Sequence, residues 1–122
     1  MNKDVIKDSG HRRVFETGAQ RDRSTDKPRP GLISPIFLWR LGNHLGKGAL
    51  KYNDRNWEKG MPLSEYIESA FRHLIAIMES KTDEDHESAC AFNIMAFMHT
   101  KEMTERGLLP KKLNDMPEYN ND

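Results

Sequence analysis

Acidic side chains occur at two places in the second half of the chain with a spacing that suits metal binding. Glu65 and Glu68 are three residues apart, so on a helix both carboxylates project to the same side. Glu84 and Asp85 form a second acidic group, which His86 follows directly. Mg²⁺ takes hard oxygen ligands from one or two carboxylates, with water and phosphate oxygens in its remaining positions. Because carboxylates are plentiful here and thiols are scarce, the pattern favours Mg²⁺ or Mn²⁺ over Zn²⁺.

The same acidic residues also have an ordinary structural interpretation. Thr82-x-x-Asp85 fits a capping box, which predicts that a helix begins near Thr82 with acidic residues in its first turn. Glu65 and Glu68 would likewise lie in the first turn of the preceding helix. Judged on pattern alone, capping and solvation are the commoner roles. If the two helices form an antiparallel hairpin, Glu68 lies far along the axis from Asp85 and faces the later part of the next helix, unless another subunit brings the two together.

Histidine, asparagine and arginine side chains add further candidates on the same two helices. His86 and Asn93 are seven residues apart and share a helix face. A buried amide such as that of Asn93 needs hydrogen-bond partners, so it bridges helices, orients a carboxylate or contacts a nucleobase. His73 is either a packed residue or a ligand. Arg72 lies one turn after Glu68, which predicts an ion pair, with a phosphate contact as the functional alternative.

Basic residues recur along the first predicted helix and in the loop after it. Arg40, Lys47 and Lys51 form a stripe, and Arg55 follows in the loop. This stripe is either a solvated face or a surface that binds a triphosphate. Trp57, in the same loop, either anchors the loop to the core or stacks on a base. The chain has no phosphate-cradling glycine loop of the P-loop kind.

These residues must be positioned by helices. Ser34-Pro35 predicts the start of the first helix, because Ser caps free amides and Pro tolerates the first helical position. A second helix is expected from about Leu63, and a third that Gly107 terminates. We therefore predict an all-α fold of three main helices in a bundle. Its organisation would be an extended basic arm over residues 1–30, a helical domain over 31–110 and a polar tail over 111–122.

The third predicted helix is apolar on nearly every side between Ala89 and Met98. A helix of this kind is buried on most of its surface. Two neighbouring helices do not supply that much cover in so small a core. The sequence therefore predicts a homo-oligomer that completes the bundle.

Composition excludes several classes of function. The 122 residues carry 19 basic and 19 acidic side chains, so no net charge draws the chain to nucleic acid or to an anionic membrane. No apolar run is long enough to span a bilayer, and the N-terminus has no signal core. Cys90, the single cysteine, excludes an internal disulfide and a cysteine-based zinc site. We expect a cytoplasmic protein without a membrane or nucleic-acid partner.

Taken in order, the motifs resemble those of the bacteriophage dATP/dGTP diphosphohydrolase N-terminal domain family, over roughly residues 17 to 110. The matching segments are 17–22 (TGAQRD), 27–29 (KPR), 32–35 (LISP), 47–52 (KGALKY), 55–60 (RNWEKG), 69–74 (SAFRHL) and 84–86 (EDH) with Asn93. That family is similar to the all-α nucleotide pyrophosphohydrolases, whose signature pairs Glu-x-x-Glu on one helix with Glu-x-x-Asp on another. Glu65 and Glu68 match the first half, whereas Thr82 stands where the Glu before Asp85 is expected.

The resemblance implies a Mg²⁺-dependent enzyme that converts dATP or dGTP to the monophosphate and pyrophosphate, in the host cytoplasm if a phage encodes it. The implied catalytic residues are Glu68, Glu84 and Asp85. The implied ligands of Mg²⁺, or of Mn²⁺, are Glu65, Glu68, Glu84 and Asp85. The implied substrate-binding residues are Lys27, Arg29, Lys51, Arg55, Asn56, Trp57, Arg72, His73, His86 and Asn93. The competing hypothesis is a non-catalytic helical binding protein of the phage type, either a nucleotide sensor or an inhibitor of a host factor.

Overall fold

A computed structural model of the chain describes residue 8 and residues 10–23 and 26–119. It divides into two compact units, of which the first ends at residue 32. The first unit contains an antiparallel hairpin of β1 (Arg12–Val14) and β2 (Gln20–Asp22), followed by a 3-10 helix over Pro30–Leu32. The arm predicted over residues 1–30 thus includes a short hairpin, and residues 1–7, 9, 24 and 25 of that arm lie outside the described part.

The second unit begins with helix α1 (Pro35–Tyr52), which starts where the sequence predicts. The Ser34 hydroxyl accepts a hydrogen bond from the Phe37 amide at 3.3 Å, and Pro35 occupies the first turn. Every partner in this cap lies within three residues of Ser34, so the local sequence is enough to specify it.

Helices α2 (Leu63–Met78) and α3 (His86–Glu105) form an antiparallel hairpin. Their contacts run in opposite directions along the chain, through the pairs His73–His86, Ala70–Cys90 and Tyr66–Thr100. The hairpin places the C-terminal half of α2 beside the start of α3.

Helix α3 begins at His86, and its N-cap is Asp85. The Asp85 carboxylate accepts hydrogen bonds from the Ser88 amide at 3.1 Å and from the Ser88 hydroxyl at 2.6 Å. The prediction that Thr82 begins this helix was therefore wrong. The side chain that satisfies the free amides is an aspartate one turn later, and aspartate caps at least as well as threonine.

Helix α3 is central, since both α1 and α2 pack against it. A core cluster of Leu63, Tyr66 and Ala96 is surrounded by Trp57, Phe92, Phe97 and Met116, and the other buried apolar residues are Leu41, Ala70, Ala76 and Ala89. The predicted all-α class with three main helices is confirmed. The only strands among the described residues are β1 and β2 of the first unit. None of the described helices combines the length and the apolar character needed to cross a membrane.

Residues after Pro110, expected from composition to form a polar tail, include a 3-10 helix over Lys111–Leu113 that packs against α3. Leu113 covers Gly60, where an added Cβ would lie 2.9 Å from the Leu113 Cδ1 atom. Gly60 also has a φ of 91°, a backbone conformation that favours glycine, whereas the Leu113 methyl group could shift to make room for a Cβ atom. Residues 120–122 of the predicted tail lie outside the described part.

Asp115 then caps the N-terminus of α2. Its carboxylate accepts a hydrogen bond from the Ser64 amide at 2.9 Å and another from the Ser64 hydroxyl. These hydrogen bonds from Ser64 lower the pKa of Asp115. Pro62, which directly precedes the helix, supplies no side-chain cap. The helical unit is therefore completed by residues that follow α3 in the chain.

Candidate functional site

An open cleft of about 1130 Å³ lies in the second unit, between α1, the loop that follows it and α3. It is lined by two segments that the sequence analysis selected independently. These contribute Lys51, Arg55, Asn56 and Trp57 from the loop side, and Glu84 and Asp85 from the start of α3. Cationic, aromatic and carboxylate side chains therefore share one cavity.

Asp85, in the wall of this cleft, is held by Arg40 of α1. The guanidinium donates from Nε at 3.1 Å and from Nη2 at 2.6 Å, one hydrogen bond to each carboxylate oxygen. The same Arg40 Nη2 lies 3.4 Å from Glu87. Hydrogen bonds from Arg40, and then from Ser88, hold the pKa of Asp85 well below its usual range. Asp85 is therefore ionised at neutral pH, and it links α1 to α3.

His73, Glu84 and His86 bring three ligand-type atoms together next to Asp85. The Nδ1 atoms of the two imidazoles are 2.9 Å apart. Glu84 Oε1 lies 3.7 Å from His73 Nδ1 and 3.9 Å from His86 Nδ1. On its other edge, His86 Nε2 lies 2.7 Å from Asp83 Oδ1. The His86 side chain is only 10% exposed, whereas that of Glu84 is 54% exposed.

Aromatic rings form one wall of the cleft. The His44 and Phe92 ring centroids are 5.3 Å apart, and Trp57 meets Phe92 edge-on at 6.2 Å. Trp57 also packs against His99 at 4.9 Å, and its carbonyl accepts a hydrogen bond from the Tyr66 hydroxyl at 3.2 Å. Trp57 thus anchors the loop to the core while it lines the cleft.

Positive charge lies at the other side of the cleft, on α1 and the loop. Lys47, Lys51 and Arg55 all line the cavity and are exposed to solvent. Arg55 forms an ion pair with Glu58, and Lys51 Nζ lies 5.1 Å from the ring centroid of Tyr52. These contacts are at the surface and leave the cations accessible to an anion.

Glu65 and Glu68 do not reach this cleft within one chain. Both are exposed on α2, and Glu68 precedes His73 by five residues, which is about 7.5 Å of helix axis. The residues of α2 that face α3 are Tyr66 and Ala70, so Glu68 lies level with the middle of α3 but on the solvent side. The antiparallel hairpin of α2 and α3 therefore separates Glu68 from Asp85, as the positions of these residues in the sequence predict for such a hairpin.

The remaining predicted residues have other surroundings. Arg72 and Glu68 are both exposed, and among the described residues the ion pair predicted between them is not formed. Asn93 is buried and donates from Nδ2 to the Ala89 carbonyl at 2.8 Å, a hydrogen bond within α3. Lys27 and Arg29 are exposed residues of the first unit.

Two cleft residues have roles that the sequence did not reveal. The sequence predicts Arg40 only as one member of a basic stripe, and its motifs do not distinguish His44. The signal was present, since these residues are four apart on the helix face that also carries Lys47 and Lys51. Burial, and next the neighbouring His73, lower the pKa of His44, so its imidazole is mostly neutral at pH 7.

A family model described as dATP/dGTP diphosphohydrolase, N-terminal, matches residues 17–107. The matched range contains α1, α2, α3 and every residue that lines the cleft. No match was found among curated proteins or among solved structures. The resemblance predicted from the ordered motifs is therefore confirmed: the chain belongs to the dATP/dGTP diphosphohydrolase N-terminal family.

Proposed function

We propose that this chain hydrolyses a purine deoxynucleoside triphosphate, dATP or dGTP, to the monophosphate and pyrophosphate, with Mg²⁺ or Mn²⁺ as cofactor. The observation that carries the proposal is the composition of the cleft. Accessible cations suit a triphosphate, an aromatic wall suits a base, and carboxylates suit the metal ion that accompanies the phosphates. The name of the matching family, dATP/dGTP diphosphohydrolase, supports the same substrate class.

The carboxylates that line the cleft fit Mg²⁺ in part. Glu84 is exposed to the cavity, and no described hydrogen bond engages its carboxylate. Each oxygen of Asp85 already accepts one hydrogen bond from Arg40 and one from Ser88, so Asp85 would bind the ion only in exchange for one of these hydrogen bonds. One or two carboxylates are enough for Mg²⁺ when phosphate and water complete its shell. Glu84 and Asp85 would therefore hold the ion, and Glu65 and Glu68 would take part only from another subunit.

Bound Mg²⁺ would neutralise phosphate charge and activate water for attack. The chain supplies the other functions. Lys51 and Arg55 bind the triphosphate and stabilise charge that develops on it. Trp57 stacks on the base, and Arg40 fixes the orientation of Asp85. Hydrolysis at the α-phosphorus, with pyrophosphate as the leaving group, gives the monophosphate.

We further propose that the active form is a homo-oligomer. Phe71, Ile75 and Met78 are 58%, 53% and 78% exposed on α2, which leaves an apolar face without cover in one chain. Glu68 lies three residues before Phe71 and seven before Ile75, so it belongs to this face. A second copy packed here would bury the apolar residues and bring Glu68 of one protomer close to its partner.

A non-catalytic nucleotide-binding protein is the second candidate, and the bonding of Asp85 favours it. A carboxylate that caps α3 and pairs with Arg40 has a sufficient structural role without any metal. In that case the cleft would bind a nucleotide without hydrolysing it, and the variants below would separate the two functions.

The test is pyrophosphate release from dATP and dGTP by purified protein with Mg²⁺. Glu84→Gln and Asp85→Asn should each lower kcat by at least about 10²-fold, because each removes a charge from the metal ligands. Asn caps helices as well as Asp does, so Asp85→Asn should keep its helical circular-dichroism spectrum. Glu118→Gln, an exposed change outside the cleft, is the matched control and should retain full activity. Nucleotide binding without turnover by the wild type would select the binding function instead.

A further inference from the structure

We propose that His73, Glu84 and His86 form a binding site for a divalent transition-metal ion of the Zn²⁺ class. The site shares Glu84 with the proposed carboxylate site for Mg²⁺, but it is different in kind because its two other ligands are imidazole nitrogens. Imidazole suits Zn²⁺ and its neighbours in the first transition row, whereas Mg²⁺ takes oxygen ligands. The proposal does not rest on nucleotide hydrolysis.

The geometry of the three atoms carries the inference. The distances of 2.9, 3.7 and 3.9 Å define a triangle whose three corners all lie about 2.1 Å from one interior point. Zn²⁺ binds histidine nitrogen at about 2.0–2.1 Å and carboxylate oxygen at about 2.0–2.2 Å. A single ion at this point therefore lies within bonding distance of all three ligand atoms.

A hydrogen bond between the two imidazoles, without a metal ion, explains only one of the three distances. It accounts for the 2.9 Å separation of the Nδ1 atoms. It leaves Glu84 Oε1 at 3.7 and 3.9 Å from those atoms, beyond hydrogen-bond range of either. A metal ion accounts for the three distances together.

Asp83 prepares His86 for this role. The Asp83 carboxylate lies 2.7 Å from His86 Nε2, so Nε2 carries the proton and the Nδ1 lone pair points to His73 and Glu84. A carboxylate behind a histidine ligand is the usual arrangement at zinc sites, where it fixes the tautomer and the ring. Asp83 is in this sense a positioning residue.

The surroundings leave room for a further ligand. The imidazoles are largely buried, whereas Glu84 is exposed and lines the cleft. Three protein ligands leave at least one coordination position for water or for an oxygen of a bound anion. The ion would therefore be reached from the cleft.

The test is metal binding by the full chain after its metals have been removed with a chelator. Titration with Co²⁺ should produce visible absorption bands that saturate at one ion per chain, and Zn²⁺ should displace the Co²⁺. Millimolar Mg²⁺ should not displace it. Absence of saturable Co²⁺ and Zn²⁺ binding below millimolar concentration would overturn the proposal.

Variants assign the ligands. His73→Ala and His86→Ala should each weaken Zn²⁺ binding at least about 100-fold, and Asp83→Asn should weaken it about 10-fold or more. His99→Ala removes a histidine on α3 outside the cluster and should bind as the wild type does. If a histidine variant fails to fold, Glu84→Gln remains informative, because this exposed side chain makes no described hydrogen bond and its loss should still weaken binding. Equal affinity in wild type and Glu84→Gln would contradict the site. Zn²⁺ binding by a protein that hydrolyses no nucleotide would support this site while contradicting the proposed function.

Discussion

Asp85 shows how one residue can connect three parts of this molecule. It caps α3, it pairs with Arg40 of α1, and it lines the cleft. The two guanidinium hydrogen bonds are charge-assisted and bidentate, the strongest form of this pair. The position of α1 beside the start of α3 therefore depends on an ionised carboxylate.

This dependence predicts a pH effect that Arg40 controls. Because the folded pKa of Asp85 lies below its unfolded value of about 3.9, the unfolded chain binds more protons in that range. The stabilisation by the pair is complete above about pH 5 and is lost as the pH falls. Arg40→Gln should lower the melting temperature by a few degrees at pH 7, and the difference from wild type should shrink by pH 3.

Melting curves at pH 3, 4, 5 and 7 measure this effect. Other acidic residues titrate in both proteins, so the difference between them isolates the interactions of Arg40 with Asp85 and with Glu87. Arg106→Gln, which breaks the exposed pair with Glu102 on α3, is the control and should show a smaller change. A difference between wild type and Arg40→Gln that is the same at pH 3 and pH 7 would contradict the argument.

For individual residues, the sequence predicted which side chains line the cleft better than it predicted which side chains contact each other. The motifs selected Glu84, Asp85 and the loop containing Trp57, which share the cleft in the structure. They did not reveal the Arg40–Asp85 pair, whose members are 45 residues apart. Spacing rules describe neighbours on one helix, and a contact between two helices also depends on how those helices pack.

Among the elements, the two ends of the α2–α3 hairpin differ in how local their caps are. Asp85 caps α3 through Ser88, three residues away, whereas Asp115 caps α2 from 51 residues away. The sequence predicts the start of α1 at Ser34 because the capping partner, Phe37, is three residues away. It does not predict the cap by Asp115, because Ser64 is 51 residues away. A helix cap can be read from the chain only when both partners are close in it.

Asp115→Ala should therefore destabilise α2. Loss of the cap leaves the Ser64 amide without its partner, and we expect the melting temperature to fall by about 5 °C. Hydrogen exchange should show faster opening of the first turn of α2 than in the wild type. Glu118→Ala, an exposed change in the same segment, should leave both measurements unaltered. Unchanged exchange at Ser64 in Asp115→Ala would show that the cap contributes nothing.

For the whole molecule, the main feature is the apolar surface that one chain leaves in water. Ile94 and Met98 of α3 are 43% and 66% exposed in one chain, and the sequence predicts that this helix is buried on most sides only when an oligomer completes the bundle. Trp39 of α1 is 79% exposed. Periodicity could identify the apolar faces, but it could not assign each face to a partner within the chain or outside it.

The proposed oligomer gives a direct prediction. Light scattering should report a mass of at least two chains, each of 14.2 kDa. Phe71→Glu combined with Ile75→Glu should reduce the mass to that of a monomer, because charges on a buried interface are costly. Leu50→Glu, which changes an exposed apolar residue of α1, should leave the mass unchanged. A monomeric wild type would remove the oligomer and with it any role for Glu68 in a shared site.

The hydrogen bond between Ser64 and Asp115 also determines when α2 becomes stable during synthesis of the protein. A ribosome synthesises α2 long before residue 115, so α2 must wait for its cap until α3 and the following segment have emerged. The contact between Leu113 and Gly60 also forms only after the segment that follows α3 has been synthesised. We expect chains that end at residue 107, where the family match ends, to protect α2 poorly against proteolysis after release from the ribosome, and released chains that extend past Met116 to protect it fully.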